Sequence, residues 1–297
     1  NFGILVFFCT IRSLILQIFS TYEKYARYLK WLALILLSYV LSALSIRLDW
    51  GNILTNTVIP SITFSKDQIL LIAAILGTTI SPYLFFWQTS QEVEEEILDG
   101  KTTIKLRQEE TSNQEIRNMR IDVWSGMFFS NLVMFFIIAA AAGTLHLSGV
   151  TNIDTADQAA LALRPIAGDS AFLLFALGII GTGLLAVPVL AGSASYALSE
   201  SLGWRSGLYR KLKQAYAFYG VIIISMSLGL LLNFLNINPI KTLIYSALAN
   251  AVVSPLILIL IVHMSSNKKL MGTRANNRII SLIGWLVVGV MFLAGSA

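Results

Sequence analysis

The chain has 297 residues, of which 56% are hydrophobic and only 12% are charged. Because an average soluble domain contains about 25% charged residues, this composition excludes an ordinary soluble protein and indicates an integral membrane protein. The net charge of +5 at pH 7 does not call for a nucleic-acid partner, since basic residues in the loops of a membrane protein serve to orient it in the bilayer.

Eight apolar stretches follow one another along the chain, and Arg12 is the only charged residue that interrupts any of them. A helix needs about 20 apolar residues to cross the bilayer, whereas a barrel strand needs about 10 residues with strict polar and apolar alternation. The predicted fold class is therefore all-α, a polytopic helical bundle with about eight transmembrane helices. The stretches are residues 1–22, 31–46, 68–91, 123–153, 170–199, 214–240, 242–267 and 279–297.

Sixteen of the 21 basic residues lie in alternate connections between these stretches. Lys and Arg in short loops are retained on the cytoplasmic side, so we predict that these connections, including a loop over residues 97–120, face the cytoplasm. The first span then runs from outside to inside, and an odd number of spans, such as one or three, is expected before residue 1 if the true N-terminus is cytoplasmic. The sixteen residues are Lys24, Arg27, Lys30, Lys101, Lys105, Arg107, Arg117, Arg120, Arg205, Arg210, Lys211, Lys213, Lys268, Lys269, Arg274 and Arg278.

The segment LGTTISPYLFFWQTSQEVEEE places a proline inside the third apolar stretch, residues 68–91. Pro82 has no backbone N–H, and its ring would collide with the carbonyl of Thr78 in a continuous helix. Ser81 occupies an N-cap position before Pro82 at the start of a new helix, and Gly77 adds flexibility. We therefore predict two half-helices that meet at residues 78–81, near the membrane midplane. A simple proline kink, whose freed carbonyl bonds to water or to a neighbouring helix, is the alternative.

Discontinuous helices near the midplane are typical of secondary transporters, where unwound carbonyls coordinate a cation and the next helix N-terminus favours anions. The sequence contains no HExxH, GxSxG or Walker-type loop, so we predict that the chain is not an enzyme. The single cysteine, Cys9, lies in an apolar span and supplies neither a disulfide framework nor a metal cluster.

Four carboxylates, Glu92, Glu94, Glu95 and Glu96, follow the broken helix just beyond its predicted cytoplasmic end. They form a candidate acidic exit that attracts departing cations. The alternative is a solvated helix face whose charges are balanced by nearby basic residues. Asn250, a polar amide in a later apolar span, is a candidate for the substrate path, and an interhelical hydrogen bond is the alternative.

Three stretches together resemble one known family: GTTISPYLFFWQTSQEVEEE, STYEKYARYLKWLALILLSYVLSAL and ANAVVSPLILILIVHMSSNKKLMG. They are similar to bacterial NRAMP-type divalent metal ion transporters, in their divergent NRAMP-related branch. The resemblance implies a LeuT-type fold of two inverted five-helix repeats. On that map residues 1–46 are the last two helices of the first repeat, residues 68–264 are the second repeat, and residues 279–297 are an extra C-terminal helix. The chain would then be a fragment that lacks the first three helices.

The family's Met-Pro-His pattern aligns with Ser81-Pro82-Tyr83. This alignment implies that the backbone carbonyl of Thr78 and the side chain of Ser81 are metal ligands. Ser81 replaces a thioether that suits Mn²⁺, Fe²⁺ or Cd²⁺ with a hard oxygen that suits Mg²⁺. The family's acidic ligand lies on its first helix, outside this chain. The residues expected to line the substrate path or to surround the ligands are Gly77, Pro82, Tyr83, Gln88 and Asn250.

The resemblance implies secondary-active transport of divalent metal cations, Mg²⁺ or Mn²⁺/Fe²⁺-like, by alternating access around residues 78–81. The metal is then the substrate, no cofactor is implied, and the partners are the lipid bilayer, the cation and, as an open question, protons. The expected location is the bacterial plasma (inner) membrane, and the oligomeric state is not determined by the sequence. A same-fold transporter of a small organic solute such as an amino acid, and a non-transporting membrane scaffold, are the alternatives.

Overall fold

Helices make up nearly all of the structure. The computed structural model describes residues 2–20, 22–61, 65–146, 149, 153–232, 234–235 and 237–296, and within these ranges it contains no strand, which confirms the all-α prediction. Residues 1 and 297, which bound the predicted ranges, lie outside the described residues. The helices are α1 (Phe2–Phe19), α2 (Tyr22–Ile35), α3 (Leu37–Ser45), α4 (Trp50–Val58), α5 (Lys66–Thr79), α6 (Pro82–Leu98), α7 (Ile104–Glu110), α8 (Asn113–Ala141), α9 (Ala156–Ser201), α10 (Tyr216–Leu232), α11 (Pro239–Ser266), α12 (Lys268–Met271) and α13 (Arg278–Ser296).

Six helical segments in the described ranges are long and apolar enough to cross a bilayer, so the chain is an integral membrane protein. The prediction of about eight spans is not confirmed, because two further apolar helices, Phe7–Phe19 and Tyr216–Leu232, are shorter. The six segments are Lys24–Ser45, Lys66–Leu98, Asn113–Leu145, Gly168–Ser201, Pro239–Ser266 and Arg278–Gly295.

Polar side chains begin several of the helices. At each of these helix starts a side-chain oxygen accepts a hydrogen bond from a backbone N–H three residues later, which satisfies a donor that has no partner inside the helix. Ser112 and Glu115 go further and form a reciprocal capping box at the start of α8. The capping residues are Ser65, Thr103, Ser112, Thr155 and Asn238.

The chain divides into two compact units, the first of which contains residues 1–58 and 86–237. In this unit α9 packs against α2, α3 and α10. The Tyr39 ring lies so close to Gly178 that a Cβ at the glycine would be 2.6 Å from it, and the Ser42 hydroxyl donates to the Ala171 carbonyl at 3.1 Å. These close contacts between small residues and polar groups are the packing mode expected where lipid supplies no hydrophobic driving force.

The second unit contains residues 59–85 and 238–297, and its helices α5, α11 and α13 pack against one another. Its core includes Leu258, Val262, Val288 and Met291. The closest approach is at Gly77, where a Cβ would lie 2.7 Å from the Ala251 nitrogen and closer still to the Ala247 carbonyl oxygen. Only glycine allows α5 to lie this near to α11. The assignment of residues 68–264 to one inverted repeat stays a prediction.

Candidate functional site

The structure has an interruption within the predicted range, but it is limited to residues 80–81, because Thr78 and Thr79 are still helical. The first half, α5, ends at Thr79, and the second half, α6, begins at Pro82. Between them Ile80 has φ −110° and ψ 72°, outside the helical region, although its N–H still donates to the Leu76 carbonyl at 2.9 Å. The two halves belong to a single candidate span, Lys66–Leu98, which therefore contains a two-residue interruption.

The hydroxyl of Ser81 is fully buried and points back to the end of α5. It lies 2.6 Å from the carbonyl oxygen of Thr78 and 2.8 Å from that of Gly77. Thr78 is the residue whose helical acceptor role is lost to Pro82. The sequence predicts Ser81 as a cap for the new helix, whereas in the structure its side chain bonds to the carbonyls that the break exposes.

Ser254 of α11 provides a second hydroxyl at the break. Its Oγ is 2.5 Å from the Ile80 carbonyl oxygen and 2.6 Å from the Asn250 carbonyl oxygen, and the residue is fully buried. A hydroxyl carries one proton, so Ser254 donates to one of these carbonyls at a time. Sequence reasoning did not select Ser254 as a site residue. The available signal was that Ser254-Pro255 repeats the Ser81-Pro82 dipeptide.

The polar groups described at the break are therefore carbonyl and hydroxyl oxygens. The carbonyls of Gly77 and Thr78 and the hydroxyl of Ser81 are hard donors, which suit cations such as Mg²⁺ more than soft metals. Among the residues that the structure describes, no group of three or more His, Cys, Asp or Glu side chains is placed to hold a metal ion. The oxygens at the break are thus at most part of a cation site.

The other predicted path residues are distributed along the two helices. Pro82 is buried and Tyr83 is half-buried at the start of α6. Gln88 is nearly two turns further on and donates to the Glu92 carboxylate at 2.8 Å. Asn250 is half-buried on α11, and its backbone carbonyl is the alternative acceptor for the Ser254 hydroxyl.

The four predicted exit carboxylates lie within α6, because the helix continues to Leu98 and does not end before them. Glutamate is a good helix former, which favours this continuation. Glu95 is exposed. Glu96 accepts a hydrogen bond from the Thr111 hydroxyl at 3.0 Å and lies 3.7 Å from the Arg107 guanidinium. These contacts attach the end of α6 to the connection that precedes α8.

Glu94 differs from its three neighbours because it is only 2% exposed. Its carboxylate accepts hydrogen bonds from the backbone N–H groups of Leu208 and Tyr209, at 2.5 and 3.1 Å, and from the Tyr196 hydroxyl. The alternative of a solvated acidic face does not hold for Glu94, because its carboxylate is turned into the protein. A run of charged residues gives no indication that one of them is buried against a loop 114 residues away.

An integral membrane protein with a discontinuous helix, whose unwound carbonyls lie beside buried hydroxyls, has the architecture that secondary transporters use for ion sites. The family model described as natural resistance-associated macrophage protein-like matches residues 2–297. The chain therefore belongs to the Nramp family, which has the LeuT-type fold, and the sequence-based family assignment is confirmed. Because Nramp proteins are transporters, the prediction that the chain is not an enzyme is also confirmed.

Curated relatives carry the name divalent metal cation transporter MntH. The protein from Pectobacterium carotovorum subsp. carotovorum is 26% identical over 224 residues, which cover 75% of this chain and 49% of the relative. The protein from Caldanaerobacter subterraneus subsp. tengcongensis is 26% identical over 266 residues, or 89% of this chain and 58% of the relative. That from Clostridium acetobutylicum is 22% identical over 261 residues, covering 87% and 56%. The chain spans about half the length of the relatives it matches.

Proposed function

We propose that the chain is part of a secondary-active transporter that carries divalent metal cations across the bacterial plasma membrane by alternating access around residues 78–81. The observation that carries the proposal is the break itself, where the Thr78 carbonyl, released by Pro82, lies within 2.6 Å of the buried Ser81 hydroxyl. Family membership and the name of the MntH relatives, divalent metal cation transporter, support the same substrate class.

The donor set at the break favours Mg²⁺, or a partly hydrated ion such as Mn²⁺. Carbonyl and hydroxyl oxygens are hard ligands, and the thioether that the resemblance implies for softer metals is replaced here by Ser81. We place the acidic ligand of the site on a helix outside this chain. The basic loops, including residues 97–120, are placed in the cytoplasm because of their excess of Lys and Arg.

When an ion binds at this position, the Thr78 carbonyl exchanges its hydrogen bond from Ser81 for a bond to the ion. The Ser81 hydroxyl now donates its one proton to the Thr78 carbonyl at 2.6 Å or to the Gly77 carbonyl at 2.8 Å. A cation that binds the Thr78 oxygen turns this proton away and gains the Ser81 oxygen as a second ligand. Ser81 therefore has two proposed roles. Its hydroxyl donates to the Thr78 carbonyl when the site is empty, and its oxygen coordinates the ion when the site is occupied.

Uptake by the full-length protein in proteoliposomes tests the proposal. We expect saturable uptake of Mg²⁺ or Mn²⁺ that Ser81→Ala reduces at least tenfold, because the substitution removes a ligand. Thr89→Ala, an exposed position on α6, is the matched control and should retain wild-type uptake. Uptake driven by an imposed pH gradient would indicate proton coupling, and equal uptake with and without the gradient would exclude it.

The competing functions give different results in the same vesicles. If amino acids displace a bound tracer and divalent metals do not, the protein carries an organic solute. If wild-type protein shows no saturable flux of either kind, the scaffold function is the better account. Equal metal uptake by wild type and Ser81→Ala would contradict the assigned role of Ser81.

A further inference from the structure

The buried carboxylate of Glu94 is not used by the proposed ion path, and its surroundings indicate a separate role. It lies on α6, the half-helix that begins at the break, and it is 2% exposed. Burying a carboxylate without partners is unfavourable by several kcal/mol. A carboxylate retained in such a position therefore needs several hydrogen-bond donors, and the structure supplies three.

Two of the donors are backbone groups of the connection between α9 and α10, residues 202–215, called here the 202–215 loop. The Leu208 N–H donates to Glu94 Oε1 at 2.5 Å and the Tyr209 N–H donates to Oε2 at 3.1 Å. Both carboxylate oxygens are used, so the side chain grips two successive peptide groups. The hydrogen bonds are made to the backbone of the loop and therefore fix the position of its main chain at these two residues.

The third donor is the hydroxyl of Tyr196 on α9, which bonds to Glu94 and also receives a hydrogen bond from the Gln91 amide at 3.3 Å. Tyr196 is itself only 2% exposed. Its ring packs edge-to-face against Trp87 and Phe218. The carboxylate thus joins α6 to α9 as well as to the loop.

The loop is shaped to receive the carboxylate. Gly207 has φ 123°, a left-handed conformation that glycine adopts without strain. A Cβ at this position would lie 3.1 Å from Glu94 Oε1 and 2.5 Å from the Tyr209 ring. A larger residue would therefore obstruct the hydrogen bonds, so the contact between Glu94 and the loop requires glycine at position 207.

Further contacts make the loop internally rigid. The Arg210 side chain donates to the Ser206 carbonyl at 3.1 Å, and its guanidinium lies 4.9 Å from the centre of the Tyr209 ring. The Tyr219 hydroxyl of α10 donates to the Arg210 carbonyl at 2.7 Å. A rigid loop transmits a displacement of the carboxylate, whereas a mobile loop would absorb it.

We propose that Glu94 is a positioning residue that fastens the 202–215 loop to α6, so that the loop moves with the half-helix that begins at the break. The attachment of the loop does not depend on the proposed function. Its consequence rests on that function: the attached loop sets the rate of the conformational step in transport. Glu94 does not contact the ion in this scheme. Its loss is expected to lower the maximal uptake rate and to leave the KM for the ion unchanged.

Trypsin cleavage in membranes measures the fastening directly, because the loop contains exposed Arg205, Lys211 and Lys213. Proteolysis of a loop requires that the loop detach locally. We expect Glu94→Gln in the full-length protein to increase cleavage at these sites about tenfold. The amide of glutamine has one oxygen acceptor, so one of the two backbone N–H groups of the loop would face its NH2 group and lose its acceptor. Glu110→Gln removes the same charge at an exposed position of α7 and should leave cleavage unchanged.

Mn²⁺ uptake by the same variants measures the consequence. We expect Glu94→Gln to lower the maximal rate at least fivefold with KM within twofold of wild type. Glu94→Asp keeps the charge with a shorter reach and should give intermediate values in both assays. If Glu94→Gln folds poorly, Glu94→Asp and Tyr196→Phe, which removes only the hydroxyl, carry the test.

The results separate the two proposals. Wild-type cleavage rates in the Glu94 variants would overturn the fastening. Faster cleavage together with unchanged uptake kinetics would overturn the coupling to transport. If wild-type protein transports no divalent ion, the proposed function fails, and the cleavage assay still decides whether Glu94 holds the loop.

Discussion

Gly77→Ala is expected to separate α5 from α11 and to destabilise the protein. The new Cβ would lie 2.7 Å from the Ala251 nitrogen and 2.9 Å from the Ala251 Cβ. Ordinary van der Waals contact begins at about 3.4 Å and the Ala247 carbonyl oxygen would lie closer than either Ala251 atom, so the two helix backbones must move apart by roughly 1 Å. Overpacking of this kind costs about 1–3 kcal/mol, and the neighbouring atoms belong to backbone that cannot rotate away.

The matched control is Gly183→Ala on α9, where a Cβ would meet nothing within 4 Å. Both substitutions gain about 1 kcal/mol of helix propensity, so the contrast between them isolates the steric term. With about 2–4 °C per kcal/mol, we expect the Tm of Gly77→Ala in detergent to fall below that of Gly183→Ala by roughly 2–12 °C. Equal Tm values for the two variants would refute the close approach of α5 and α11.

Three further predictions concern the break and the connection before α8. Ser254→Ala leaves the Ile80 carbonyl without its donor and should destabilise the protein by about 1–3 kcal/mol, seen as a lower Tm that Ser254→Thr restores. Ser81→Cys replaces a hard donor with a soft one of similar size and should raise Cd²⁺ uptake relative to Mg²⁺, whereas an unchanged ratio would argue against ligation by this side chain. The hydrogen bond from Lys101 to Glu115, at 2.8 Å, raises the pKa of the Lys101 ammonium above its ordinary value of 10.5. The pair therefore stabilises the fold below about pH 10.5, and this contribution is lost as pH rises through the higher folded-state pKa. Wild type should lose more thermal stability than Lys101→Met between about pH 10 and pH 12, and parallel losses would contradict this assignment.

The position of the break was predictable because it depends on covalent chemistry. Pro82 lacks an N–H wherever it stands, and its effect on Thr78 follows from the length of one helical turn. The all-α class was predictable for a similar reason, since apolar stretches of this length have few ways to satisfy their backbone in lipid. Both inferences use only local sequence.

The hydrogen-bond partners of the buried polar groups were not predictable. The Ser254 hydroxyl reaches Ile80 across 174 positions of sequence, and no local pattern specifies which helix lies beside the break. Glu94 shows the same limitation, because its four-residue acidic context predicts a solvated face. Whether one such residue turns inward depends on a glycine at position 207 and on backbone donors that follow it.

The hydrogen bond from Ser81 to the end of α5 has a consequence for the return of the empty carrier. A transporter must reset without its substrate, and bare carbonyls in a dry interior would oppose that step by several kcal/mol. In the proposed cycle a departing cation would leave behind the Ser81 hydroxyl, which lies 2.6 Å from the Thr78 oxygen and can cover it again. We expect ion affinity to be moderate for the same reason, since every binding event competes with an internal partner, and this keeps release fast on the far side.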